Sequence, residues 1–191
     1  EPPLPIHIET ILNAPCPFWE NQRVGETHLL VLIPATVNGK KYTLNLLQEL
    51  IQNPKGGAKT KYRDYPIFVK NELGDQPTPA HWVLITRDVI PESRKKSPQE
   101  QKQLIAKLSQ KTDLSYEIPT GLEAATCILL EHARKGIKLY SNAPLTFTRT
   151  LEMVDGNQRS LAVGGFTTDG IGLSGFWSDY QYLGLSGIVK L

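Results

Sequence analysis

The feature that most constrains this chain is a pair of helix starts followed by an abrupt change to glycine-punctuated strands. Ser97-Pro98-Gln99-Glu100 has the residues of a capping box. The serine hydroxyl can accept from the third helical amide, the proline sits where no amide partner is needed, and the glutamate can reach back to the cap. Leu104, Ile105 and Leu108 then recur at helical spacing, which predicts a helix over 97–111. Thr120 and Glu123 repeat the box. A second helix is predicted over 120–135, through Ala125, Leu129 and Ala133, with Arg134 and Lys135 in its last turn and Gly136 as its stop. Beyond Tyr140 the pattern changes. Residues 146–154, 160–166, 171–177 and 183–191 read as strands, with turns at Asp155-Gly156-Asn157 and Asp169-Gly170. Helices in the middle and a sheet at the end predict the α+β class: two central helices packed on a mostly antiparallel sheet that includes the final strand.

Upstream, His28 to Thr36 reads as a buried strand closed near Pro34, and His81 to Thr86 as a second. Asn38-Gly39 is a turn in which both residues tolerate positive φ. Thr43 can cap a helix with Leu44, Leu47, Leu50 and Ile51 on one side. Lys55 to Arg63 reads as a basic loop, and 63–73 as a short helix ended by Gly74. Residues 1–27, with five prolines, read as an N-terminal arm carrying a short helix or turn, ahead of one domain over 28–191. The opening Glu1-Pro2-Pro3-Leu4-Pro5 reads as a proline-stiffened arm or former linker, the start expected of a chain cut from a larger multidomain protein or trimmed of a leader.

Composition removes several functions. With 40% hydrophobic residues over 191 positions there is enough apolar mass for a core. A net charge of +2 gives no argument for nucleic acid. The longest apolar run, Leu29 to Ile33, is strand-sized, so no membrane span is expected. Two cysteines, Cys16 and Cys127, exclude a disulfide scaffold and a cysteine-rich zinc site. Cys127 reads as buried on its helix, and Cys16 as exposed or packed within the arm. No phosphate-binding loop, dinucleotide fingerprint or nucleophile elbow is present, and no cofactor is expected. Among His7, His28, His81 and His132 no pair has metal-ligand spacing, and no metal site is expected. His28 and His81 each precede a buried strand and could approach one another, although polar residues at strand ends are the plainer reading. Glu117, Glu123 and Glu131 read as a surface residue, a cap and a helix face, and no catalytic residue is assigned.

The stretch Leu108-Ser109-Gln110-Lys111-Thr112-Asp113-Leu114-Ser115-Tyr116-Glu117-Ile118-Pro119-Thr120-Gly121-Leu122-Glu123-Ala124 resembles the central signature of the formylglycine-generating-enzyme-like family, a branch of the C-type-lectin-like fold. Leu108, Ser109, Thr112, Tyr116, Pro119, Thr120 and Glu123 match that pattern by position. Glu117 stands where the family has Arg, Gly121-Leu122 where it has Glu-Ala, and Ala124 where it has Trp. The resemblance implies the C-type-lectin-like variant of the α+β class, with ligand-binding loops late in the chain. The family's copper-dependent oxidases use a late cysteine pair, and the last third here has no cysteine, so that oxidase chemistry is not expected. Residues 28–45 and 81–96 are similar to uncharacterised modules in large proteins of amoeba-dwelling bacteria. That similarity implies a secreted or host-directed bacterial protein and assigns no chemistry.

The late segment carries the candidate site. Thr167, Thr168, Asp169, Ser174, Phe176, Trp177, Ser178, Asp179, Tyr180, Gln181 and Tyr182 gather aromatics, hydroxyls and carboxylates into sixteen residues. Tyrosine and tryptophan give large contact area at low entropic cost. Strand alternation puts Phe176 and Trp177 on opposite faces, one for the core and one for a ligand. The site residues assigned are Thr167, Asp169, Ser174, Trp177, Asp179, Tyr180 and Tyr182, binding a protein or a small polar ligand. The competing reading makes Phe176 and Trp177 core and the rest turn. Asp169 and Asp179 could also help to hold a cation. Two basic groups, Lys55–Arg63 with Tyr62 and Tyr65, and Arg87 with Arg94–Lys96, read as solvated surface. The expected function is a non-catalytic recognition module. An enzyme or effector with an unrecognised site, and a structural or autoinhibitory domain, are the alternatives.

Overall fold

The computed structural model describes residues 2–191; Glu1, the first residue of the expected arm, lies outside the described residues. In chain order the elements are α1 (Ile8–Asn13), α2 (Val24–Thr27), β1 (His28–Ile33), β2 (Thr36–Val37), β3 (Lys40–Lys41), α3 (Leu44–Gln52), β4 (Tyr62–Asp64) and α4 (Ile67–Leu73). They continue with β5 (His81–Thr86), α5 (Pro98–Ser109), α6 (Gly121–Lys135), β6 (Phe147–Val154), β7 (Arg159–Thr167), β8 (Gly170–Trp177), β9 (Gly184–Leu185) and β10 (Ile188–Lys190). The class is α+β.

Both capping boxes form. Ser97 Oγ accepts from Glu100 N while Glu100 reaches back to Ser97 N, and Thr120 and Glu123 do the same. Gly136 ends α6 at φ 72°, a left-handed position that glycine takes without strain. Asn38 and Gly39 turn the β2–β3 hairpin with φ of 52° and 77°. Thr43 caps α3, its hydroxyl accepting from Leu46 N.

Two sheets stack with helices between and outside them. The first has the order β1-β5-β10, all antiparallel. Leu29, Val31, Ile33, Val83, Ile85 and Ile188 face one core with α3 and α6. Leu30, Leu84 and Val189 face another, built with α1, α2, α5 and the Tyr116–Ile118 segment. Cover on both faces is why these strands read as continuous apolar runs although the sheet is antiparallel. The second sheet has the order β4-β8-β7-β6-β9. Its inner face brings Leu161, Val163, Ile171 and Leu173 against α6, which is buried along most of its length between the two sheets.

Four local expectations change. Residues 183–191 are not one strand: β9 joins the second sheet and β10 the first. The crossing falls at Ser186-Gly187, where Ser186 N donates to Thr148 Oγ1 and Gly187 N to Thr86 Oγ1. A Cβ on Gly187 would lie 3.0 Å from Tyr116 and 3.2 Å from Phe18, a tight fit to which both rings would have to yield by a few tenths of an ångström. The sheet is antiparallel only in its centre, since β4 and β9 pair in parallel with β8 and β6. The basic loop ends early, because Tyr62 is drawn into β4, where its buried ring packs against Tyr65 at 5.0 Å. Gly74 ends α4 in a right-handed conformation, φ −55°, and a Cβ there would lie 2.3 Å from the Lys70 carbonyl oxygen and 2.6 Å from the Asn45 side chain.

Candidate functional site

The outer face of the second sheet carries Phe147, Ala162, Phe176 and Leu183, and residues 178–183 fold back over it. The turn begins where Tyr180 N donates to Trp177 O at 2.9 Å. Four successive carbonyls then each find a separate donor. Tyr180 O accepts from Arg149 Nη2 at 3.0 Å, and Gln181 O from Lys95 N at 2.6 Å. Tyr182 O accepts from Arg94 Nη1 at 3.1 Å, and Leu183 O from Gln101 Nε2 at 2.8 Å. Main chain tied at every residue is a rigid support.

The ties are interlocked. Gln101, wholly buried, also donates to Ser93 O at 2.8 Å, and its Oε1 accepts from Arg149 Nε at 2.7 Å. Arg149 is 2% exposed, and its partners are an amide oxygen, a carbonyl and the Ser160 hydroxyl. No carboxylate pairs with it among the described residues, and burial pulls its pKa below the usual guanidinium range. Arg94 additionally donates to Leu145 O and Thr146 Oγ1, so a single side chain fixes Leu145 beside Tyr182.

On this support the aromatics form a ledge. Phe147 meets Phe176 edge-on at 5.2 Å, Tyr180 stacks on Phe176 at 5.0 Å and 22°, and Tyr182 follows at 5.5 Å. Tyr182 is 65% exposed, Leu145 55% and Tyr180 37%. Trp177 points to the other face, as strand alternation requires, and is half exposed; the Arg159 guanidinium lies 4.2 Å from its ring and 5.6 Å from that of Phe68.

The seven residues expected to form one site therefore divide. Trp177, Asp179, Tyr180 and Tyr182 cluster at one end of β8. Thr167 and Asp169 sit at its other end, roughly 25 Å away along an eight-residue strand. There Asp169 shares an open cleft of about 410 Å³ with Lys59 and Lys61. Ser174 lies between the two ends, buried, with its hydroxyl on Asp64. Extended backbone is the reason: the residues between Asp169 and Trp177 form one strand, which holds its two ends a full strand length apart. Asp169 and Asp179 are separated in the same way, and no group of three metal-binding side chains occurs among the described residues.

Other sequence candidates are structural. His28 and His81 sit at opposite ends of the antiparallel β1–β5 pair, in register with Thr86 and Ile33. His28 is enclosed: Nδ1 faces Thr27 Oγ1 at 2.8 Å and Val24 O at 3.2 Å, and Nε2 faces Tyr116 Oη at 3.1 Å. Burial lowers its pKa to about 4. Glu123 receives Thr120 N at 2.8 Å and His81 Nε2 at 2.9 Å, with Lys190 Nζ at 3.4 Å. Burial pushes its carboxyl up, but these partners outweigh burial and hold it below the usual range. Glu131, also buried, pairs with Arg87 and Lys135. Cys127 and Cys16 are both buried, so Cys16 is packed rather than exposed. Arg94 leaves the solvated basic group to become a tie, and Gln101 and Arg149 were not anticipated at all. The available signal for Arg149 was a lone charge inside the Phe147–Thr150 strand pattern, on the face shared with Phe147. No family model matches the chain, and comparison with curated proteins and with solved structures found no match.

Proposed function

We propose that the chain is a non-catalytic recognition module that binds a protein or a small polar ligand through the 176–182 ledge. The observation that carries this reading is the combination of exposed Tyr180, Tyr182 and Leu145 with a backbone bonded at four consecutive carbonyls. Exposed aromatics are costly to solubility unless a partner covers them, and a pre-ordered backbone lowers the entropic cost of binding. The ledge residues on this reading are Tyr180 and Tyr182, with Asp179 in the same turn and Leu145 added; Trp177, on the other face against Arg159, lies beside the ledge and not on it.

We further propose that the scaffold is a formylglycine-generating-enzyme-like variant of the C-type-lectin-like fold. Support comes from the jobs held by the signature residues. Ser109 Oγ bonds both the amide and the carbonyl of Tyr116, Thr112 Oγ1 bonds both those of Leu114, and Thr120 with Glu123 caps α6. Gly121, a departure from the family pattern, is required by Leu161, whose Cδ2 would lie 2.5 Å from a Cβ at that position.

The test is site-directed photo-cross-linking from position 182 in lysate, with position 61 as comparison. Adducts formed from 182 and not from 61 support the ledge. Adducts formed only from 61 move recognition to the basic cleft.

A further inference from the structure

We propose that a second site, on the opposite side of α6 from the second sheet, binds a small monocarboxylate with an apolar body. It is a cavity of about 470 Å³ between α3, α6, the start of the β2–β3 hairpin and the 53–60 segment. That volume lies inside the range of about 300–1,000 Å³ typical of small-molecule sites. Its walls are apolar, with Leu47, Leu50, Ile51 and Leu129 prominent.

The enclosing wall is built from backbone. Ala58 N donates to Ala133 O at 3.1 Å, and Thr60 N donates to Ile51 O at 3.0 Å. Gly57 permits the first of these contacts, because a Cβ there would lie 2.0 Å from the Ala133 carbonyl oxygen. The segment is thus tied to α6 at Ala58 and to α3 at Thr60, and together with the two helices it lines the cavity.

The polar groups set the ligand's orientation. At the floor, Thr126 donates its only hydroxyl hydrogen to Leu122 O at 2.6 Å, so Tyr42 must donate its own to Thr126 Oγ1 at 3.0 Å. Both hydrogens are spent, and the floor offers no free donor to an anion. Burial also pushes the Tyr42 phenol up, so it stays neutral. At the mouth, Lys55 is the one charged residue of the lining, and it is exposed. An apolar body therefore enters first and a carboxylate remains at Lys55. This site is separate from the ledge and does not depend on it.

The probe is decanoate, titrated into the isotope-labelled full chain and followed by amide chemical shifts. Shifts confined to the Tyr42, Thr126 and Leu129 neighbourhood are expected. Lys55→Ala should weaken binding about five-fold, and Lys55→Glu should weaken it further. Ala133→Phe, which fills the cavity, should abolish it. Lys55 is exposed, so its variants remain informative if Ala133→Phe does not fold. Decyltrimethylammonium binding as well as decanoate, indifference to Lys55→Glu, or shifts scattered over the surface would overturn the proposal. So would concentration-dependent shifts at the same amides without decanoate, which would mean that a second copy of the chain fills the cavity.

Discussion

Acid should destabilise this protein through His28 before it reaches most carboxylates. Thr27 spends its hydroxyl hydrogen on Arg23 O at 3.0 Å and Val24 O can only accept, so Nδ1 carries the ring hydrogen toward Thr27 Oγ1 and Val24 O, and Nε2 accepts from the Tyr116 hydroxyl. The ring lies 6.0 Å from Phe18 and is 2% exposed. Burial is the main cause of its lowered pKa, with Arg87 adding to it and the Val24 bond opposing it. Between about 4 and 6.5 the unfolded chain holds a proton here and the folded chain does not. Stability therefore rises with pH across that window. The contribution is fully present above 6.5 and lost as pH falls through about 4. The shift from 6.5 to about 4 corresponds to roughly 3 kcal/mol. Urea unfolding of wild type and His28→Gln across this range isolates the effect. Glutamine can donate to Val24 and accept from Tyr116 without titrating, so carboxylate effects are shared by the two proteins. The wild type should lose the extra roughly 3 kcal/mol, and NMR should place the ring's own midpoint near 4. Parallel stability curves, or a ring midpoint at the ordinary 6.5, would refute the reasoning.

Three further outcomes are expected. Arg149→Met leaves the Tyr180 carbonyl and the Gln101 amide oxygen unpaired, so it should cost about 2–4 kcal/mol in denaturant melts and speed hydrogen exchange over 178–183. Gly121→Ala drives a Cβ into buried Leu161 and should cost about 1–3 kcal/mol, whereas Gly56→Ala, with open space around it, should leave the melting temperature unchanged. Cys127, whose thiol burial pushes up, should react with maleimide only at the rate of unfolding, measured by mass spectrometry against a urea-unfolded control.

The parts of this fold readable from sequence are those decided locally. Ser97 with Glu100, Thr120 with Glu123, Asn38-Gly39 and Gly136 act within a few residues, and each forms as the pattern implies. The split of 183–191 was not readable, because Thr86 and Thr148, the side chains that receive the crossing amides, belong to two different sheets. The site shows the same division. Alternation put Phe176 and Trp177 on opposite faces without saying which is exposed, and the gathering of Arg94, Gln101 and Arg149 under Tyr180–Leu183 depends on contacts as much as 88 residues apart. Lone arginines and glutamines carry no spacing rule that announces such a network. Thr167 and Asp169 were grouped with Tyr182 by nearness in sequence, which the extended strand β8 between them undoes.

The ledge is tested most directly by the affinity of the partner captured from position 182, measured by calorimetry against four variants. The account predicts that Tyr180→Ala and Tyr182→Ala each weaken binding about ten-fold without lowering the melting temperature. Lys59→Ala and Lys61→Ala should leave it within about two-fold at moderate salt, because exposed charges there are screened. Affinity unchanged by either tyrosine variant, and lost when Lys59 and Lys61 are neutralised, would contradict the account and place recognition in the basic cleft.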